Sequence, residues 1–401
     1  MVVTWLLAWP VALAEPLNPE SFEPLAQTYT SGEETIDTDA VTFGPYTGVI
    51  REGIAIFAFG SLNVDEDLTV IGTRPLALLT TGDLTVRGRI NVSAMRRMGG
   101  PGGATGPQSG EGNGPGAGES GLSGSGGGHC GLGGAADEGK LEGGMIYGDL
   151  LERLTGGSSG ASAARSNGGF GGGGGGAIEL GALGRLTITG NLLARGGDGQ
   201  DRTDPGGGGG AGGGILLHGG LGSTCESLVS VIGGMGGDST DDLAGGGGGG
   251  GCITTMGVDV RQCLLRTRGG PAGVDRQGVN KGTSASSGGG AAALNSPDPD
   301  YDGDGFRLSD GDCNDLNPRI NPNQDPPDLD CDGKPDLPPA DTGEVDTSSL
   351  ETGDPEPAPP PASPAVPRPG YTLCASGGTM PLGGLSLIVL ISLWRRRLDS
   401  L

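Results

Sequence analysis

The chain has 401 residues, a formal net charge of −24 and only 3 % aromatic residues, so a large conventional core is not expected. Glycine (89) and proline (29) are abundant, a composition common in low-complexity chains, but glycine comes in runs (171–176, 206–210, 245–251). A collagen triple helix would need it at every third position and is excluded. The acidic balance also excludes nucleic acid as a partner, which would need clustered Lys and Arg, and favours solubility and cation binding.

Residues 2–13 are almost wholly apolar, and Ala12-Leu13-Ala14 offers an A-x-A cleavage site before Glu15. Residues 1–14 therefore read as a signal peptide, although no Lys or Arg precedes the apolar stretch. Export is the expectation for the rest of the chain. Residues 28–98 carry strand-like runs at Gly53–Phe59, Leu68–Ile71, Leu76–Thr80 and Leu84–Val92, with turns such as Thr81-Gly82-Asp83. Residues 99–172 form a long Gly/Ser-rich insertion, with a short helix at Met145–Leu154 as its candidate element.

Residues 173–295 repeat. A glycine run followed by a strand-like segment recurs as GGGAIEL, GGGILLH, GGCITTM and GGGAAAL, and Ala177, Ile215, Ile253 and Ala291 follow the runs at a spacing of 38. The columns Leu192/Val229/Leu265 and Ala194/Val231/Thr267 are mostly apolar, while Leu193/Ser230/Arg266 between them is more polar. That alternation marks half-buried strands. Stacked units of this kind share a core that one unit could not form alone. The predicted class is all-β: a right-handed parallel β-helix-like solenoid, whose glycine runs leave as loops because they need φ > 0 and close packing. Two repeats carry GGxGxD, at Gly196–Asp201 and Gly233–Asp238, the opening of a calcium nonapeptide. Those nonapeptides occur in tandem, whereas these copies lie 37 apart with Thr203 and Thr240 at the apolar position, so calcium is not assigned there.

The chemistry concentrates in 296–336. Residues 297–356 hold 18 Asp and Glu against 3 Lys and Arg. Asp300, Asp302 and Asp304 occupy alternating positions closed by Gly305, the opening of a calcium loop, and Phe306 stands where a carbonyl ligand is expected. Gly311 occupies the position of the usual closing Glu, and Asp310 and Asp312 flank it. A second acidic half contains Asp330 and Asp332. Cys313 and Cys331 bracket the intervening loop, and in an exported protein a disulfide between them is the default. Hard oxygen donors favour calcium; softer metals would want His or Cys. The segment DPDYDGDGFRLSDGDCNDLNPRINPNQDPPDLDCDGKPD resembles the metal-binding repeat of the MopE type and is similar to thrombospondin type 3 calcium repeats. The resemblance implies calcium-type binding by Asp300, Asp302 and Asp304, with Asp312, Asp330 and Asp332.

Residues 337–373 are rich in Pro, Thr and acidic residues and read as a disordered, extended linker. Residues 374–401 contain an apolar run, Met380–Trp394, followed by Arg395–Arg397. Extended back to Ala375, the run is long enough for a transmembrane helix with the Arg triplet on the cytoplasmic side. Cys374, the small residues Ala375–Gly378, the apolar helix and the Arg cluster resemble the MYXO-CTERM type of C-terminal sorting signal of myxobacteria and related bacteria. That resemblance implies surface display, with Cys374 as the processing or attachment residue.

Four cysteines remain: Cys130, Cys225, Cys252 and Cys263. Two of the last three could pair, in a combination the sequence leaves open. His129-Cys130 sits in a glycine loop with no third partner nearby, so chance is its better explanation. The expected function is a non-catalytic cell-surface structural or adhesion protein with a calcium-stabilised module. It would be held by the C-terminal helix or released after processing, with extracellular polysaccharide or other surface proteins as partners. The alternatives are a β-helix polysaccharide lyase or hydrolase and an extracellular metal-sequestering protein. An enzyme would need clustered carboxylates in a groove, and Asp198, Asp201, Asp238 and Asp241 sit instead in glycine-rich loops.

Overall fold

The computed structural model describes residues 16–136, 140–165, 167–201, 205–240 and 243–275, and the backbone of 292–293. The chain divides into two compact units, Met1–Asp341 and Thr342–Leu401, and every described residue belongs to the first. Among the described residues the fold is all-β, with one 3-10 turn at Pro19–Ser21 and no α-helix.

The chain enters through β1 (Thr28–Ser31), β2 (Glu34–Asp37), the hairpin β3 (Thr42–Phe43) and β4 (Tyr46–Thr47), and β5 (Val49–Arg51). It then passes repeatedly over the same three ladders. The first pass is β6 (Ile54–Phe59), β7 (Ser61–Val64) and β8 (Leu68–Ile71); the second is β9 (Leu76–Thr80), β10 (Leu84–Val86) and β11 (Ile90–Asn91). The third is β12 (Ala177–Ala182), β13 (Leu186–Ile188) and β14 (Leu192–Leu193). In the fourth, β15 (Gly214–Cys225) serves two ladders before β16 (Leu228–Ser230). β17 (Cys252–Asp259), β18 (Leu264–Arg266) and β19 (Ala292–Ala293) follow. The strands form an eleven-stranded and an eight-stranded sheet, both curled and parallel-rich. Among the described strands, antiparallel pairs occur at β2–β3, β3–β4 and β5–β6, with isolated antiparallel bridges at Met95–Met98, Ser120–Gly124 and Ala136–Leu141.

Register explains the core. Leu62, Leu84 and Leu186 stack across β7, β10 and β13, and Val64, Val86 and Ile188 stack beside them. β10 and β13 bury their outer two residues and leave the middle one partly exposed, and β7 alternates likewise with Leu62 and Val64 buried, the period-2 pattern of a half-buried strand. Burying each such Leu, Ile or Val contributes about 1.5–3 kcal/mol. Aromatics gather at the N-terminal end: Tyr29 packs edge-on against Phe43 at 5.3 Å and stacks on Phe59 at 5.4 Å, and Phe43 meets Phe57 at 5.8 Å.

Three expectations change in detail. The run Leu84–Val92 is two strands, broken at Arg87–Arg89. Ile215 and Ile253 are register partners, but Ala177 pairs with Gly214, so that pass is one residue shorter. Met145–Leu154 is not a helix. Gly148 lies at φ +99, and the Tyr147 N–H donates outward to the His129 carbonyl at 2.8 Å. Leu150 and Leu154 then pack on the outer face of the first ladder, with Ile54, Ile56 and Leu216.

The glycine runs are not peripheral loops. They form an interior lattice of extended segments joined backbone to backbone. Gly207, Gly210 and Gly213 donate to the carbonyls of Gln200, Gly197 and Ala194. Gly206, Gly209 and Gly212 donate to Leu243, Gly246 and Gly249, while Gly169, Gly172 and Gly175 donate to Pro205, Gly208 and Ala211. A bond at every third residue on both partners is the period of a polyproline-II helix, whose backbone groups point outward and here meet neighbouring segments instead of water. None of the glycines in 171–176, 206–213 and 245–251 has positive φ, which corrects that part of the expectation. Close packing is the reason for glycine. A Cβ on Gly174 would fall on the Gly157 carbonyl oxygen, and one on Gly248 on that of Gly210. The 99–172 insertion belongs to this lattice: Gly124 and Gly127 donate to Gly206 and Gly209.

Candidate metal and disulfide centre

Cys252 opens β17 on the outer face of the first ladder, and the lattice brings a remote segment onto it. Gly131 donates to the Gly250 carbonyl at 3.0 Å, Gly134 donates to Gly247 at 2.7 Å, and Gly249 donates to Gly127 at 2.8 Å. These bonds seat His129 and Cys130 against Cys252, although 122 residues separate the two cysteines. Cys130 and Cys252 stand at disulfide distance, with Cα atoms 5.4 Å apart. The donor atoms of His129, Cys130 and Cys252 all lie within 4.8 Å of one another, so the group could hold a metal ion. The third partner that His129-Cys130 lacks in sequence is Cys252.

The surroundings orient the imidazole. His129 Nδ1 lies 3.0 Å from the Gly212 carbonyl oxygen, which can only accept, so Nδ1 carries the proton. Nε2 is left to face Thr155 Oγ1 at 3.4 Å and Cys252 Sγ at 3.9 Å. Burial disfavours the imidazolium and lowers the His129 pKa from 6.5 to about 4, against the smaller opposing effect of the Gly212 and Gly213 carbonyls. The Gly148 carbonyl oxygen lies 3.3 Å from Cys130 Sγ and 3.0 Å from Cys252 Sγ. A Cβ on Gly148 would strike the His129 ring, so this position combines positive φ with a close approach. The Tyr147 ring sits 4.9 Å from the imidazole. Its hydroxyl donates to the Gly156 carbonyl at 2.7 Å, and burial raises its pKa to about 12.

A second cysteine pair, Cys225 and Cys263, has Cα atoms 5.1 Å apart and ties the end of β15 to the turn before β18. The pairing that the sequence left open is thus Cys130 with Cys252 and Cys225 with Cys263. Elsewhere on the first ladder, His218 Nε2 and Glu179 Oε1 lie 3.0 Å apart, both side chains buried. The His218 ring occupies the space a side chain on Gly181 would take, and Glu179 also accepts from the Leu17 N–H at 2.7 Å.

The GGxGxD aspartates join successive passes. Asp198 accepts from the Met235 N–H, Asp201 from the Asp238 N–H and Asp238 from the Val274 N–H, each at 2.8 Å. This gives the motif a structural role. Asp198 and Asp201 also border a groove of about 630 Å³ with Arg96, Arg97, Phe170 and Gln200. Asp241 lies outside the described residues. So do Asp300, Asp302, Asp304, Phe306, Asp310, Asp312, Asp330 and Asp332, the pair Cys313 and Cys331, and Cys374.

What the fold defines is an all-β protein of curled, parallel-rich sheets with two cysteine pairs at disulfide distance and a His/Cys group that could hold a metal. No protein-family model, curated protein or solved structure matches the chain.

Proposed function

We propose that the chain is a non-catalytic structural or adhesive protein of the bacterial cell surface. In this reading the successive passes are coils of a right-handed parallel β-helix. The common register of Leu62, Leu84 and Leu186 and of Leu192, Val229 and Leu265 supports it. Residues 296–336 form a calcium-stabilised module, 337–373 a spacer, and 374–401 a sorting tail that holds the protein at the membrane or is processed at Cys374. The partners fitting such a body are extracellular polysaccharides or other surface proteins.

One observation carries the functional reading: the glycine runs 171–176, 206–213 and 245–251 are buried and bonded backbone to backbone with neighbouring segments. A β-helix enzyme uses its excursions to shape a groove and present side chains. Here the glycine runs have almost no side chain to present, and the arrangement favours rigidity and durable display. The test is protease shaving of intact cells that make the full chain, compared with a chain ending at residue 373. The full chain is expected to be accessible and cell-associated, and the shortened chain to be released. A full chain recovered only from cell interiors overturns the reading.

The groove beside Arg96, Arg97, Asp198 and Asp201 is where the alternative, a polysaccharide lyase or hydrolase, would act. Turnover of an acidic polysaccharide, abolished by Asp198→Asn or Asp201→Asn, would favour that alternative. Binding of many calcium ions per chain would favour metal sequestration.

A further inference from the structure

The His129 centre contains more than a disulfide requires. A disulfide between Cys130 and Cys252 needs no imidazole, yet His129 is fully buried with Nε2 3.9 Å from Cys252 Sγ and the three donor groups within 4.8 Å of one another. Its other nitrogen donates to the Gly212 carbonyl, the outer contact that commonly orients a ligating histidine and fixes its tautomer. With Nδ1–H committed to that carbonyl, Nε2 is the nitrogen with a lone pair to give. Thr155 Oγ1 and the Gly148 carbonyl supply further oxygen donors at the rim.

We propose that this centre has two states: a Cys130–Cys252 disulfide when oxidised and, when reduced, a site for a soft divalent cation of the zinc type. The ligands are His129 Nε2 and the thiolates of Cys130 and Cys252, with water or Thr155 in the fourth position. A dithiol reductant supplies two electrons and two protons; the S–S bond breaks, two thiols form, and the reductant becomes its own disulfide. Metal binding then releases the two thiol protons to solvent. Two thiolates neutralise a divalent ion, which suits a buried position, and sulfur with imidazole selects zinc-type ions over calcium or magnesium. Either state holds the 124–134 segment on β17, so the excursion is pinned before and after oxidation.

The test uses the full chain, reduced with a phosphine and desalted without oxygen. Zinc is expected to slow alkylation of Cys130 and Cys252 by about tenfold or more, since bound thiolate is shielded as a nucleophile. Cys225 and Cys263 are expected to react at the same rate with or without zinc, as read by peptide mass spectrometry. In parallel, cobalt(II) is expected to give thiolate charge-transfer and tetrahedral ligand-field bands that are diminished in His129→Gln and absent from the oxidised chain. Equal alkylation of Cys130 and Cys252 with and without zinc overturns the proposal. So do cobalt bands unchanged in His129→Gln.

Discussion

Gly210→Ala tests whether the glycine lattice is a packed interior. Gly210 donates to the Gly197 carbonyl at 2.9 Å and accepts from the Gly234 N–H at 2.8 Å. An added Cβ would meet the carbonyl oxygens of Gly173 and Gly172, which are backbone atoms and cannot rotate away. Overpacking of this kind costs about 1–3 kcal/mol. Each of the two backbone bonds put at risk contributes about 1 kcal/mol. Alanine also restricts the unfolded chain, an offset of about 0.4–1 kcal/mol because φ is not positive at this site. The net expectation is a loss of about 2–4 kcal/mol, measured by chemical denaturation with disulfides intact. For a body of this size that corresponds to about 5–15 °C in Tm. Gly32→Ala is the control: Gly32 is exposed, has no heavy atom near an added Cβ, and should be neutral or slightly stabilising. If Gly210→Ala falls within about 0.5 kcal/mol of the parent, like an ordinary surface change, the lattice argument fails.

Three further outcomes are expected. Gly181→Ala should push the His218 ring off Glu179 and cost about 2–4 kcal/mol, and much less in a His218→Ala background, so a double-mutant cycle reads the coupling. Cys225→Ser with Cys263→Ser opens a loop of 38 residues and should cost about 4 kcal/mol on the chain-entropy account; a loss under about 1 kcal/mol would mean the pair is not a structural bond. In the oxidised chain the folded His129 titrates at about 4, below its ordinary 6.5, so the unfolded chain takes up the proton first. Stability should be complete above about 6.5 and decline toward pH 4 by about 3 kcal/mol in total, and His129→Gln should remove that part of the decline in denaturation curves.

The aliphatic ladders were legible because strand alternation and repeat spacing act together. Leu192, Val229 and Leu265 align by sequence alone and pair in space. The misplacement of Ala177 by one residue has a simple cause: its partner in β15 is Gly214, a strand residue that reads as part of the glycine run before it. The lattice was hidden for the same reason. Bonds from Gly206 to Leu243 or from Gly127 to Gly209 join segments of nearly identical composition, and no local pattern distinguishes a buried run from a solvated one. The His129 centre depends on that hidden layer. Residues 99–172 fall outside the repeat, so nothing near His129-Cys130 points to Cys252. The aspartate contacts are more instructive. GGxGxD stood out as a motif, but its meaning, a carboxylate accepting from the next pass, required the 36- and 37-residue offsets seen between Asp238 and Val274 and between Asp201 and Asp238.

The calcium-binding part of the proposed role rests on the acidic segment 296–336. The direct measurement is calcium titration of the full chain by calorimetry, with disulfides intact and Asp302→Asn/Asp304→Asn as the paired variant. Saturable binding of about one or two ions per chain, lost in that variant, is the predicted result. No saturable binding at millimolar calcium, or binding unchanged in the variant, would contradict it.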